Sequence, residues 1–214
     1  MKDVFLKAGV ITIAVFLIGL YFGYILDNMR VEELRGSITQ IDNLWNDVRL
    51  MQSYIEKFSN RTDYCSFLLE ENLKVADKIY DEGLKVEEYE NSNRFAPLLA
   101  VEKERYALLD MQLWINSIDL KNLCNGNYST VIYFYSQYNK TIEQNFQDRV
   151  LWDLKQECGP KIIYITFPAD INISTIEVVK NIYGIESIPS VLINEEILLN
   201  SPVTMRELEE RIKC

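Results

Sequence analysis

The chain contains no histidine. That removes the commonest general base at neutral pH and the commonest metal ligand, and with it His-dependent triads and zinc sites. Cysteine is scarce. Cys65, Cys124, Cys158 and Cys214 are scattered, with no Cys-x-x-Cys and no metal-ligand spacing among them. Basic residues are in deficit, 22 Lys plus Arg against 32 Asp plus Glu. Past residue 26 the balance is 20 against 31, because only Lys2, Lys7 and Asp3 precede it. No basic stripe interrupts this acidity, so nucleic acid is not an expected partner. There is no phosphate loop and no carboxylate pair separable from solvated helix faces such as Glu70-Glu71, Glu87-Glu88 and Glu209-Glu210. No cofactor and no metal is expected.

What the chain does have is a long apolar run. Residues 8–26, after a short 1–7 tail, carry no charge, and a helix of about 20 residues spans the hydrocarbon core of a bilayer. A cleaved signal peptide has a shorter apolar region and small residues at its cut site. Here the run ends in Leu26-Asp27-Asn28-Met29, which predicts an uncleaved single-pass anchor. Lys2 and Lys7 on one side tie with Arg30 and Arg35 on the other. The α-amino group, and the acidic neighbours of the two arginines, tip the reading toward a cytoplasmic N-terminus and an extracytoplasmic C-terminal part. Gly19 and Gly23 form a small-xxx-small motif that can bring two membrane helices together.

Helical periodicity continues beyond the membrane. Val31, Leu34, Ile38, Ile41, Trp45 and Val48 repeat at alternating spacings of three and four, with Gln52 as a polar interruption and Ile55 returning after it. Leu44, Met51 and Phe58 widen the stripe. Residues 27–58 therefore read as a stalk: a coiled coil forming a homodimer, or a helix packed on its own chain. Residues 62–123 read as an antiparallel helical hairpin. Its first helix has Leu69, Leu73, Ala76, Ile79 or Tyr80, and Leu84 on one face. Its second has Leu98, Val101, Leu108, Met111, Trp114, Ile115 and Ile118. Hairpin geometry brings Cys65, at the start of one helix, near Cys124, just past the end of the other. A bridge there stabilises by roughly 2–4 kcal/mol and requires an oxidising compartment. Two inert thiols is the alternative.

From residue 124 the pattern becomes α/β. Thr130–Tyr135 reads as a strand and residues 141–156 as a helix, with Ile142, Phe146, Val150 and Leu154 turned inward. Residues 161–167 read as a parallel second strand, completing a βαβ unit. A short helix over 175–183, a hairpin turning at Asn194-Glu195-Glu196, and a final helix over 204–213 follow.

Val131-Ile-Tyr-Phe-Tyr-Ser-Gln-Tyr138 and Tyr183-Gly-Ile-Glu-Ser-Ile-Pro189-Ser-Val-Leu-Ile, in the order βαβ-α-ββ-α, resemble the thioredoxin fold over residues 124–214. With the hairpin and anchor, the chain is similar to small membrane-anchored thioredoxin-like proteins of archaeal type. The resemblance implies a redox Cys-x-x-Cys at 139–142, but the residues there are Asn139, Lys140, Thr141 and Ile142. In that family a helix N-terminus stabilises the nucleophilic thiolate. Asn139 cannot ionise. The resemblance also implies a cis bond before Pro189 and a shallow groove, to which Tyr135, Tyr138, Asn139, Ile188 and Pro189 would contribute. Finally, it puts the ends of the first and last helices on one face of the sheet, which suggests a second bridge, Cys158 with Cys214. Fraying or an intermolecular disulfide are the alternatives.

The function expected from these residues is a redox-inactive, membrane-anchored module that binds a protein or extended peptide by strand addition. Two rivals stand beside it: a thiol-disulfide oxidoreductase using Cys65 and Cys124, and a purely structural dimeric stalk. Four Asn-x-Ser/Thr sequons, at Asn60, Asn127, Asn139 and Asn172, are candidate glycosylation sites if that part of the chain is extracytoplasmic.

Overall fold

The computed structural model describes all residues except 1, 59, 93–96, 201 and 213. One unbroken helix, α1 (Lys2–Phe58), carries the chain out of its apolar run and on through the stalk. Its first part is long and apolar enough to cross a membrane. Helices α2 (Cys65–Ser92) and α3 (Pro97–Cys124) follow as an antiparallel pair, so the end of α2 and the start of α3 lie on the same side as the apolar part of α1.

The stalk seam is covered within its own chain. Val31, Leu34, Ile38, Ile41, Trp45, Val48 and Ile55 are all buried, and α2 and α3 of the same chain cover them. Of the two readings of residues 27–58, the structure has the helix packed on its own chain, as one member of a three-helix bundle. The polar interruption has its own explanation. Gln52 Nε2 donates to Asn116 Oδ1 at 2.9 Å, Asn116 Nδ2 to Asn72 Oδ1 at 2.7 Å, and Asn72 Nδ2 to Ser117 Oγ at 3.0 Å. This chain of amides crosses all three helices and satisfies groups that would be costly to bury alone. Nearer the apolar part of α1, buried Glu102 on α3 accepts from Arg35 Nε of α1 at 3.0 Å and Arg105 Nη1 at 2.9 Å.

The remaining elements are β1 (Ser129–Tyr135), α4 (Ile142–Cys158), β2 (Ile162–Pro168), α5 (Ser174–Tyr183), β3 (Ser190–Ile193), β4 (Ile197–Leu199) and α6 (Met205–Glu209). The sheet order is β2-β1-β3-β4; β2 is parallel to β1, while β3 and β4 are antiparallel to their neighbours. Strand alternation divides the sheet between two cores. Val131, Tyr133, Val191 and Ile193 face Val150, Leu151 and Leu154 of α4 and Leu208 of α6. Ile132, Phe134, Phe167 and Leu192 face the other way, into a core shared with α5, α3 and the bundle. The helical hairpin and the α/β segment thus share one apolar core.

That sharing corrects two face assignments. On α3 both sides are engaged, so Leu99, Leu109, Leu113 and Leu120 are buried, while Val101, Leu108 and Ile115 are turned to solvent. On α4 the inward stripe begins at Gln144 and Gln147. Ile142 is 84% exposed and Phe146 48%. Phe58 of α1 and Leu84 of α2, both expected inside, are also exposed. The final helix is shorter than 204–213, closing after Glu209 with a capping box between Thr204 and Glu207.

The β3–β4 turn locks the layers together. Asn194 and Glu195 both take positive φ, as a type I′ turn requires, and Glu196 N–H closes on Ile193 C=O. Glu195 Oε1 then accepts from Trp114 Nε1 on α3 and from Thr130 Oγ1 on β1, each at 2.7 Å. Asn194 Oδ1 accepts from Lys121 Nζ at 2.7 Å.

Candidate functional site

Three connections meet at one end of the sheet. Tyr135, the last residue of β1, is in register with Pro168, the last of β2. Phe134 is in register with Ser190, the first residue of β3. The loop after β1, the loop after β2 and the Ile188–Pro189 segment therefore converge. The Ile188–Pro189 peptide is cis. Ile188 is half-buried and Pro189 buried.

The loop over 136–139 is pinned from both sides. Asp170, from the β2–α5 connection, accepts from Ser136 Oγ at 2.6 Å, Gln137 N–H at 2.8 Å and Tyr138 N–H at 3.2 Å. Gln144 of α4 accepts from Ser136 N–H at 2.9 Å and donates to Ser136 C=O at 3.0 Å. Thr141 caps α4 by accepting from Gln144 N–H. Thr141 is thus the N-cap of α4. Asn139 is exposed, and Tyr138 is 79% exposed. Neither Asp170 nor Gln144 was singled out from sequence. A lone acid after a strand carries no signal, and a glutamine on a helix face reads as surface.

Burial alone would raise the Asp170 carboxyl, but the bonds from Ser136, Gln137 and Tyr138 outweigh it and hold it below the ordinary range. A depressed native value means stabilisation that is complete above the unfolded-state value and is lost as pH falls through the native one. The amides of Gln137 and Tyr138 should therefore exchange with solvent at a protected rate near neutrality and lose that protection in acid. Asp170→Asn should remove the pH dependence. Hydrogen exchange followed by mass spectrometry checks this, and unchanged protection in the variant would discard it.

Behind the loop lies a cavity of about 150 Å³ between α2, α3, α4 and the edge strand β2. Its walls are aromatic: Tyr80, Tyr106, Tyr133, Tyr135, Trp152 and Tyr164. Tyr80 meets Tyr164 edge-on at 6.1 Å, and Tyr133 stacks on Tyr135 at 5.8 Å. Glu87, Lys103, Lys140 and Asp148 contribute two charges of each sign. Asp148 Oδ1 accepts from Tyr133 Oη at 2.7 Å, and burial raises the Asp148 carboxyl. Outside the lining, buried Asp110 on α3 accepts from the N–H of the lining residue Thr166 through Oδ2 at 3.4 Å, and burial pushes this carboxyl well above its usual range. Tyr106 approaches α2 where there is no side chain to stop it. A Cβ on Gly83 would lie 2.3 Å from Tyr106 Oη and 3.0 Å from Cζ. Gly83→Ala must therefore displace the Tyr106 ring, and we expect a loss of about 1–3 kcal/mol in chemical denaturation.

The other residues singled out from sequence fall elsewhere. Cys65 and Cys124 are joined at the far end of the hairpin, Cα–Cα 5.3 Å. Cys158 and Cys214 are joined behind α4, Cα–Cα 5.1 Å. Neither disulfide lines the cavity. Asn60, Asn127 and Asn172 are exposed, as is Asn139. Gly19 and Gly23 have open space beside them on the apolar part of α1. Among the described residues no group of three or more acids or thiols is arranged to hold a metal ion.

No protein-family model and no curated protein matches the chain. A solved chain titled "Structure of a malarial protein" is similar over 39% of this chain and 92% of its own, with 17% identity and a TM-score of 0.34. A likeness that weak carries no argument about fold or function.

Proposed function

We propose that this protein is a membrane-anchored, redox-inactive member of the thioredoxin-like class, serving as an extracytoplasmic module that binds a protein or an extended peptide. One observation carries the reading. The helix start where such a fold keeps its dithiol holds exposed Asn139 and Ile142, while all four cysteines are tied up in disulfides. The strand order, the βαβ-α-ββ-α succession and the cis peptide before Pro189 support the thioredoxin-like assignment. The apolar length of α1 supports an anchor. Two disulfides in so small a unit support an oxidising compartment, and hence a cytoplasmic N-terminus. Tyr138, Ile142 and Phe146 stand exposed at spacings of four, as binding surfaces on loops and helix starts commonly do.

The test is site-specific photo-crosslinking from position 138 of the full chain in its native membrane. A discrete adduct that disappears in Ile142→Asp, with the fold intact, is the expected result. Adducts indifferent to Ile142→Asp would remove the interaction reading. Insulin reduction by the purified chain that vanishes in Cys65→Ser would replace it with an oxidoreductase.

A further inference from the structure

We infer that the cavity behind the loop receives one aromatic side chain from the segment this module binds, so that the partner is recognised by a buried Phe, Tyr or Trp anchor. The inference rests on the interaction reading above and names the chemistry of its partner.

Size is the first argument. The cavity measures about 150 Å³, and a protein cavity of about that volume holds a benzene ring. A lysine chain fills such a space poorly with its narrow stem, and an indole or phenol fills it well. The lining is the second. Six aromatic side chains offer both ring faces and ring edges, already arranged edge-on and stacked among themselves. An added ring gains such contacts at about 0.5–1.5 kcal/mol per pair beyond its burial. Charge is the third. The two acids and two lysines balance, and Asp148 is engaged by Tyr133. The lining is therefore neutral overall and favours neither an ammonium nor a carboxylate by net charge, whereas a neutral ring enters without the cost of desolvating an ion.

Position supplies the link to a polypeptide. Tyr135, Lys140 and Gln144 line the cavity. Tyr135 is also the last residue before the pinned loop, Lys140 follows it directly, and Gln144 holds Ser136 within it. A backbone lying along 136–139 therefore passes the opening, and one side chain can turn in. Leu84 and Trp152, both half-exposed lining residues, form the rim. Buried aromatic anchors seated in pockets beside a flatter contact surface are where binding energy concentrates in protein interfaces.

The experiment uses the full chain in lipid nanodiscs and three probes: N-acetyl-phenylalaninamide, N-acetyl-alaninamide and N-acetyl-lysinamide. Binding is read from tyrosine ring signals by NMR. The expected result is saturable shifts with the phenylalanine probe, at least tenfold tighter than with the other two. Leu84→Trp fills the mouth from a half-exposed position that tolerates bulk, and should weaken the phenylalanine probe at least tenfold. Trp152→Ala, which removes one wall, should do the same if Leu84→Trp does not fold. No saturation, equal or tighter binding of the lysine probe, or indifference to both variants would each overturn the inference. Crosslinks from position 138 separate the two ideas. Crosslinks that persist without phenylalanine-probe binding sink the aromatic anchor alone. Crosslinks indifferent to Ile142→Asp, or none at all, sink the interaction reading, whatever the probes do.

Discussion

Replacing both Cys65 and Cys124 with serine is expected to cost about 4 kcal/mol of stability. The bridge closes a loop across 59 positions. In the chain-entropy view, a loop between about 15 and 100 residues long restricts the unfolded chain by about 3 to 4.7 kcal/mol. The geometry around it gives no sign that native contacts substitute for it. At that end of the bundle the fully buried apolar support is a small cluster of Ile55, Leu68 and Leu120, joined to the main core only through the partly buried Met51 and Leu69 among the described residues. The measurement is urea unfolding of the disulfide-intact protein and the double serine variant in the same detergent. With a slope of about 2 kcal/mol per molar urea, the midpoint should fall by about 2 M. A fall of less than about 0.5 M would mean that the hairpin is held by side-chain packing, and that the bridge serves something other than stability. The double variant is the informative one, because a single serine leaves a free thiol able to pair elsewhere.

How far the sequence foretold this arrangement depends on how many surfaces each element buries. The seam of α1 was legible because one face of a helix is buried and the rest is not. Its partner was not legible, since an a/d stripe covered by α2 and α3 looks the same as one covered by a second copy. On α3 the reading failed outright at Val101, Leu108 and Ile115. A helix wedged between a bundle and a sheet buries most of its circumference, so periodicity carries little information. Its exposed apolar residues are then indistinguishable from its buried ones. Ile142 and Phe146 misled for a different reason. They keep the i+4 rhythm of Val150 and Leu154, which are buried, but in the first turns of α4 the buried row runs through Gln144 and Gln147. The glutamines are inside because backbone needs them: Gln144 serves Ser136, and Gln147 Oε1 accepts from Val203 N–H at 2.7 Å. The aromatic cavity was invisible for a third reason. Its walls come from α2, α3, β1, α4 and β2, and no spacing in one dimension reports that convergence.

Trp114→Ala is expected to be the most damaging single substitution outside the cysteines, at about 3–5 kcal/mol. Trp114 is buried on the side of α3 that faces the sheet, with ring centroids 5.8 Å from both Phe167 on β2 and Tyr183 on α5. Its indole N–H donates to Glu195, which also holds Thr130. Removing the side chain opens a void in the shared core and leaves a buried-side carboxylate with one donor fewer. Trp114→Phe separates the two effects. It keeps most of the packing and loses the hydrogen bond, so it should cost about 1.5–3 kcal/mol, in the range for bonds to charged groups. If the alanine and phenylalanine variants were equally destabilised, the packing between α3 and the sheet would be contributing little, and the view of one continuous core would fail. The functional consequence follows from where the cavity lies. Its walls belong partly to the hairpin, through Tyr80 and Tyr106, and partly to the sheet, through Tyr133 and Tyr164. Trp114 sits two helical turns beyond Tyr106 on α3 and ties those two layers together. Loosening that tie should therefore widen the cavity and weaken the phenylalanine probe. It should leave the 136–139 loop protected, because Asp170 and Gln144 hold that loop from within the α/β segment itself. Hydrogen exchange on the folded Trp114→Ala protein should accordingly rise over residues 97–120 and 162–168 while the amides of Gln137 and Tyr138 keep their wild-type protection.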